Sequence, residues 1–180
     1  MRVLGIDPGS RFCGFGVVED AGGTRMRHLA HGVLSLGDER PIEERLQLLH
    51  QGLSRELLLH RPDLVAIEDV FHARNARSAL VLGQARGVAL LAAAQSGAKV
   101  RSFSPSTIKQ AVTGTGRAEK EQVGRMVAVL LGISVHGRFD ASDALAAAIC
   151  GVLRARDPAE AAARKPRGDW RVALARRFGK

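Results

Sequence analysis

Four acidic residues stand where structure alone gives an acid little reason to be. Asp7 closes the strand-like run RVLGID and is followed at once by a Pro8-Gly9 turn. Glu68 lies at the end of the apolar run Val65-Ala66-Ile67. Asp140 and Asp143 open the last long helical segment, and their i, i+3 spacing puts both on one helical face. A buried carboxylate without a partner is costly, and proteins pair it, neutralise it or bind it to a metal. The sequence places no matching buried cations beside these acids, so hard divalent ions suit the set. Mg²⁺ prefers oxygen ligands and binds through few carboxylates plus a substrate phosphate. Two such ions about 3.5–4 Å apart clamp the attacking and leaving oxygens of a phosphodiester. Each acid also has a plainer reading. Asp140 could be a helix N-cap, Asp143 could favour the positive helix start, and Asp7 could accept bonds from its own turn. Glu68 has the least such excuse, because Glu is disfavoured in central strands.

Bringing these acids together requires a sheet and a helix laid on it. Segments 2–7, 12–19 and 26–36 read as strands, and their short, Gly-containing links imply an antiparallel meander. From Pro41 the period changes. Ile42, Leu46, Leu49, Leu53 and Leu57 recur at helical spacing. A short strand over 63–70, a helix over 78–97 and a strand over 99–104 follow. Segment 104–114 starts with a Ser cap and Pro in the first turn, and helices over 118–132 and 140–156 complete the order. Ala144 and Ala147 continue the acidic face of the last helix, where small residues allow close approach to the sheet. The predicted fold class is α/β: a mixed five-stranded sheet, antiparallel meander plus parallel strands, flanked by helices. The expected domain spans residues 1–156, with 157–180 as a flexible basic tail.

A chain of 180 residues, 46% apolar, is long enough to bury its own core. With six Phe, one Trp and no Tyr, that core must be aliphatic. No apolar run approaches the roughly 18 residues a membrane helix needs. Asp7 and Pro8 interrupt the first apolar stretch before a secretory signal could form. Cys13 and Cys150 have neither metal-ligand spacing nor a disulfide framework. A soluble cytoplasmic protein without membrane partners is the expectation. The net charge of +9 points to a polyanion. The segment 157–180 supplies +4 of it, so the body is basic as well. Lys109 and Lys120 belong to a basic region with Lys99, Arg101, Arg117 and Arg125. Phe71 falls between the acidic strand end and the polar run HARNARS, in a loop beside the acids. Ala79, Gly83 and Gly87 stand four apart on one helix, a spacing that fits close approach either to the sheet or to a partner helix.

Four blocks, LGIDPGSRFCGFGVV, AIEDVFHARNARSALVLGQARGVALL, SPSTIKQAVTGTGRAEKEQV and DASDALAAAIC, resemble the RuvC Holliday-junction resolvases in order and spacing over about residues 1–155. The resemblance implies an RNase H-like fold, a homodimer, and Mg²⁺-dependent symmetrical cutting of four-way DNA junctions in recombination and repair. It implies two ions per site with Mn²⁺ as a substitute, 5′-phosphate and 3′-hydroxyl ends, and a short T-rich preference at the cut. It further implies cooperation with the RuvA–RuvB branch-migration complex. By the same resemblance, Asp7, Glu68, Asp140 and Asp143 match catalytic metal-binding acids, although the position of Asp140 varies between Asp and His. Lys109 and Lys120 match basic residues near the scissile phosphate, and Phe71 an aromatic beside the separated bases. Cys13 and Phe15 stand where Thr and Tyr are common, and Asp69 and His72 fill variable loop positions. Three rivals are an actin-like phosphate-binding fold, a binding protein without cleavage, and a general RNase H. The first needs a second domain and a second phosphate motif that this chain lacks, and the second would lack one of the acids.

Overall fold

Alternation along the strands sorts the side chains onto two faces, and the acids fall on one of them. A computed structural model describes residues 1–69, 75–133 and 139–157. The elements are β1 (Arg2–Asp7), β2 (Phe12–Asp20), β3 (Met26–Ser35), α1 (Ile42–His60), β4 (Leu64–Glu68), α2 (Ala76–Gln95), β5 (Lys99–Phe103), α3 (Pro105–Thr113), α4 (Lys120–Leu131) and α5 (Phe139–Arg156). The sheet order is β3-β2-β1-β4-β5. β1, β2 and β3 form the expected antiparallel meander, and β4 and β5 add parallel to β1. This is the mixed, RNase H-like arrangement expected from the sequence.

Local chemistry sets the helix starts. The Ser104 hydroxyl accepts from the Thr107 amide, with Pro105 in the first turn of α3. α2 begins two residues earlier than its apolar pattern suggests, because the Asn75 side chain caps it by accepting from the Ser78 amide at 2.9 Å.

Val3 and Gly5 of β1, Val18 of β2, and Leu64 and Ala66 of β4 face α5, with α3 and α4 alongside it. Leu4, Ile6, Phe15, Val17, Val65 and Ile67 face the other way, onto Leu49, Leu53 and Leu57 of α1 and a row of alanines on α2. With a period of two, Asp7 and Glu68 continue the α5 side. On that side the helix backbone rests directly on glycine. A Cβ at Gly5 would lie 2.0 Å from the Ala144 carbonyl oxygen, and one at Gly14 would lie 2.0 Å from that of Asp140. At the far end of α5, Arg156 donates to both carboxylate oxygens of Asp20, at 2.6 and 3.1 Å. Cys13 and Cys150 are buried and form no disulfide. Among the described residues no helix is long and apolar enough to cross a membrane. The basic segment 158–180 lies outside the described residues.

Candidate active site

The carboxyl ends of parallel strands are where open α/β sheets place their sites, and the acids gather there. Asp7 and Glu68 each follow the paired residues Ile6 and Ile67 on adjacent parallel strands, so both reach the same edge of the sheet. The glycine contacts of α5 bring Asp143 over that edge. α3 contributes Lys109, and the first residue of α4 is Lys120. Asp7, Glu68, Asp143, Lys109 and Lys120 line one cleft of about 380 Å³. Asp140 does not line the cleft, but its charge acts on Asp7 and Asp143. Phe71 lies outside the described residues.

The electrostatics are those of acids crowded out of water. Burial, and then repulsion from Glu68, Asp143 and Asp140, raises the pKa of Asp7 to about 8. Burial, and then Asp143, raises that of Glu68 to about 7. Burial also raises Asp143, against the opposing pull of Lys120. Lys120 Nζ stands 2.6 Å from Asp143 Oδ2. Burial works against the charge of Lys120, but the bond to Asp143 and the acids behind it hold its pKa above the usual lysine value. Among the described residues, no three carboxylate, imidazole or thiol groups stand close enough to enclose an ion by themselves. Mg²⁺ does not ask for such a cage, since it binds through one or two carboxylates, waters and substrate phosphates. An all-oxygen set of mutually repelling acids, open to a cleft with lysines on its wall, fits that ion.

Sequence reading missed three features of this neighbourhood. Asp69 also lines the cleft and is held by Arg86 of α2, which donates in addition to the Ser102 hydroxyl at 2.8 Å. Phe139 lies exposed beneath Lys120. Its only signal in the sequence is a rare aromatic directly before Asp140. The thiol of Cys13 is pushed up by burial and by the nearby Asp7, which keeps it protonated and unreactive. Of the two alternatives for Ala79, Gly83 and Gly87, the structure removes packing against the sheet. All three are exposed, and an added Cβ at Gly83 or Gly87 meets nothing within 4 Å, so this stripe faces away from the sheet.

Sheet order and acidic cleft together define a nuclease core of the RNase H-like class. Residues 3–151 match the family described as crossover junction endodeoxyribonuclease RuvC. The RuvC of Myxococcus xanthus is 51% identical over 99% of this chain and 95% of its own length. That of Trichlorobacter lovleyi is 50% identical over 84% of this chain and 85% of its own. The solved structure of Thermus thermophilus RuvC in complex with its Holliday junction substrate superposes with a TM-score of 0.81 at 37% identity, covering 87% of this chain and 95% of that one. The chain belongs to the RuvC family of crossover junction endodeoxyribonucleases.

Proposed function

We propose that Asp7, Glu68, Asp143 and Asp140 hold two Mg²⁺ ions, with Mn²⁺ as a substitute, and that the chain uses them to resolve four-way DNA junctions. The observation that carries this reading is the convergence of half-buried, mutually repelling acids on a cleft that Lys109 and Lys120 also line. When bound, such ions polarise a phosphodiester and supply a nucleophilic water near neutral pH. The protein's own groups do the rest. Asp7 and Glu68, with pKa values of about 8 and about 7, would release their protons to solvent near neutral pH as a cation takes their place. Lys109 and Lys120 meet the phosphate in the same cleft, beside the acids, and stabilise the charge that develops on it. The basic surface binds the DNA arms without regard to sequence. Phe71 is assigned to the unstacked bases of the crossover, a role that rests on the family resemblance. Symmetrical nicking of two strands of like polarity then leaves 5′-phosphate and 3′-hydroxyl ends.

A junction with approximate two-fold symmetry calls for two equivalent sites, which a C₂ dimer presents. The exposed stripe of Ala79, Gly83 and Gly87 on α2, flanked by exposed Leu80 and Leu91, supports a homodimer through that helix. We assign residues 1–156 to the nuclease domain, place the activity in the cytoplasm, and take RuvA–RuvB as the partner that delivers the junction.

The test is cleavage of a synthetic four-way junction and a matched linear duplex, with and without Mg²⁺. Asp7→Asn, Glu68→Gln and Asp143→Asn should each lower junction cleavage by on the order of a thousandfold and leave binding intact. Near wild-type cutting by all three would remove the site.

A further inference from the structure

Phe139 is the first residue of α5 and is 51% exposed. A large ring left in water beside a cluster of acids contributes nothing to the core, so its neighbours matter. Phe139 and Asp143 are four residues apart, hence one above the other on the same helical face. The ammonium of Lys120 sits between them, 5.2 Å from the ring centroid and 2.6 Å from Asp143 Oδ2. The first distance is within the roughly 6 Å reach of a cation–π attraction. The two partners act differently on the lysine. A carboxylate holds the ammonium by cancelling its charge. A ring face holds it and leaves the charge available to another anion. Lysine needs such help, because a four-carbon stem has many rotamers and the Lys120 side chain is half exposed.

We propose that Phe139 is a positioning residue for junction cleavage, its ring keeping the Lys120 ammonium aimed into the cleft when Asp143 is engaged as a ligand. This rests on the assignment of Lys120 to the scissile phosphate. Phe139→Leu keeps apolar bulk and removes the π face, whereas Phe139→Trp strengthens that face. The ring is half exposed, so both variants should unfold at the wild-type temperature.

The experiment measures single-turnover cleavage of a synthetic four-way junction at saturating protein with Mg²⁺, together with junction affinity. It compares wild type, Phe139→Leu, Phe139→Trp, Lys120→Ala and the double variant Lys120→Ala/Phe139→Leu. Phe139→Leu should slow cleavage by about three- to tenfold with affinity unchanged. Phe139→Trp should cut at the wild-type rate or faster, and Phe139→Leu should add nothing once Lys120 is gone. A wild-type rate for Phe139→Leu, or an equal loss in Phe139→Trp, overturns the inference. So does a loss that persists in the Lys120→Ala background or that lies in affinity, which would mark a ring stacked on a base. Slow cutting by Lys120→Ala with a wild-type rate for Phe139→Leu removes this inference alone. A wild-type rate for Lys120→Ala removes the lysine assignment and the inference together.

Discussion

The two faces of the sheet are packed by different means. Toward α1 and α2, leucines and other full side chains fill the space between layers. Toward α5, glycine meets helix backbone with no side chain between, at Gly5 and at Gly14. A layer filled with side chains can re-sort rotamers around a change and give up stability without moving its frame. A backbone resting on backbone has no such slack, and the height of α5 above β1 and β2 sets where Asp140 and Asp143 stand. One face therefore supplies mainly burial, and the other supplies the alignment of the acids.

The largest effect should come from breaking the tight face. A Cβ at Gly14 would lie 2.0 Å from the Asp140 carbonyl oxygen, so Gly14→Ala must lift or shift the start of α5. A misplacement of about 1 Å can cost on the order of a hundredfold in rate, and that is the loss expected per folded molecule. Leu53→Ala, from the buried row of α1, should cost about 2–5 kcal/mol of stability but leave the rate of the folded fraction within roughly twofold. Denaturant titrations paired with single-turnover rates check this, and equal rate losses in the two variants would erase the distinction.

A middle-sized effect of opposite sign should come from the acids themselves. The pKa of Asp7 rises from 3.8 to about 8 in the fold. A carboxyl group whose pKa rises on folding favours the folded state fully below its unfolded value, and that advantage is lost as pH climbs through the folded one. In a chelating buffer, the contribution of Asp7 to stability therefore falls from about pH 4 to about pH 8. Asp7→Asn should flatten this slope and raise Tm at pH 8 by on the order of 5 °C, whereas truncations on the other face only lower it. Calorimetry across that range decides, and a Tm at pH 8 below wild type would contradict it.

The smallest effect separates open glycines from tight ones. Gly83 has space around it, so Gly83→Ala should stabilise α2 by about 0.5–1 kcal/mol, measured by urea unfolding of the monomer. Gly87→Glu, on the same stripe, should weaken self-association in sedimentation. An unchanged dimer would move the partner contact away from α2.

Sequence alone carried most of this frame because its signals are local. Period-two runs, helical leucine spacing and the Ser104–Pro105 cap each declare themselves within a few residues. So did the face shared by Asp140, Asp143, Ala144 and Ala147. What stayed hidden depends on chain segments far apart. Gly5 and Gly14 read as ordinary strand glycines until α5 is laid on them. Arg86 with Asp69, and Lys120 with Phe139, are pairs that only the fold brings together. The Asn75 cap sits inside a polar run, so the apolar pattern alone places the start of α2 two residues late.

The anchoring of α5 at both ends has a consequence for how this chain can vary in length. From Gly14 to Asp20, β2 advances about 20 Å at roughly 3.4 Å per residue. From Asp140 to Arg156, α5 advances about 24 Å at 1.5 Å per residue. Gly14 meets Asp140 at one end, and Asp20 meets Arg156 at the other. Strand and helix are thus two rulers of different pitch whose end marks coincide. Deleting one residue within α5 turns everything beyond it by about 100° and draws it in by about 1.5 Å. The marks can no longer agree at both ends, so either the arginine clasp or the acidic edge must slip. A change of length within β2 or α5 should therefore cost one of the two anchors, whereas one in the connections between elements should spare both.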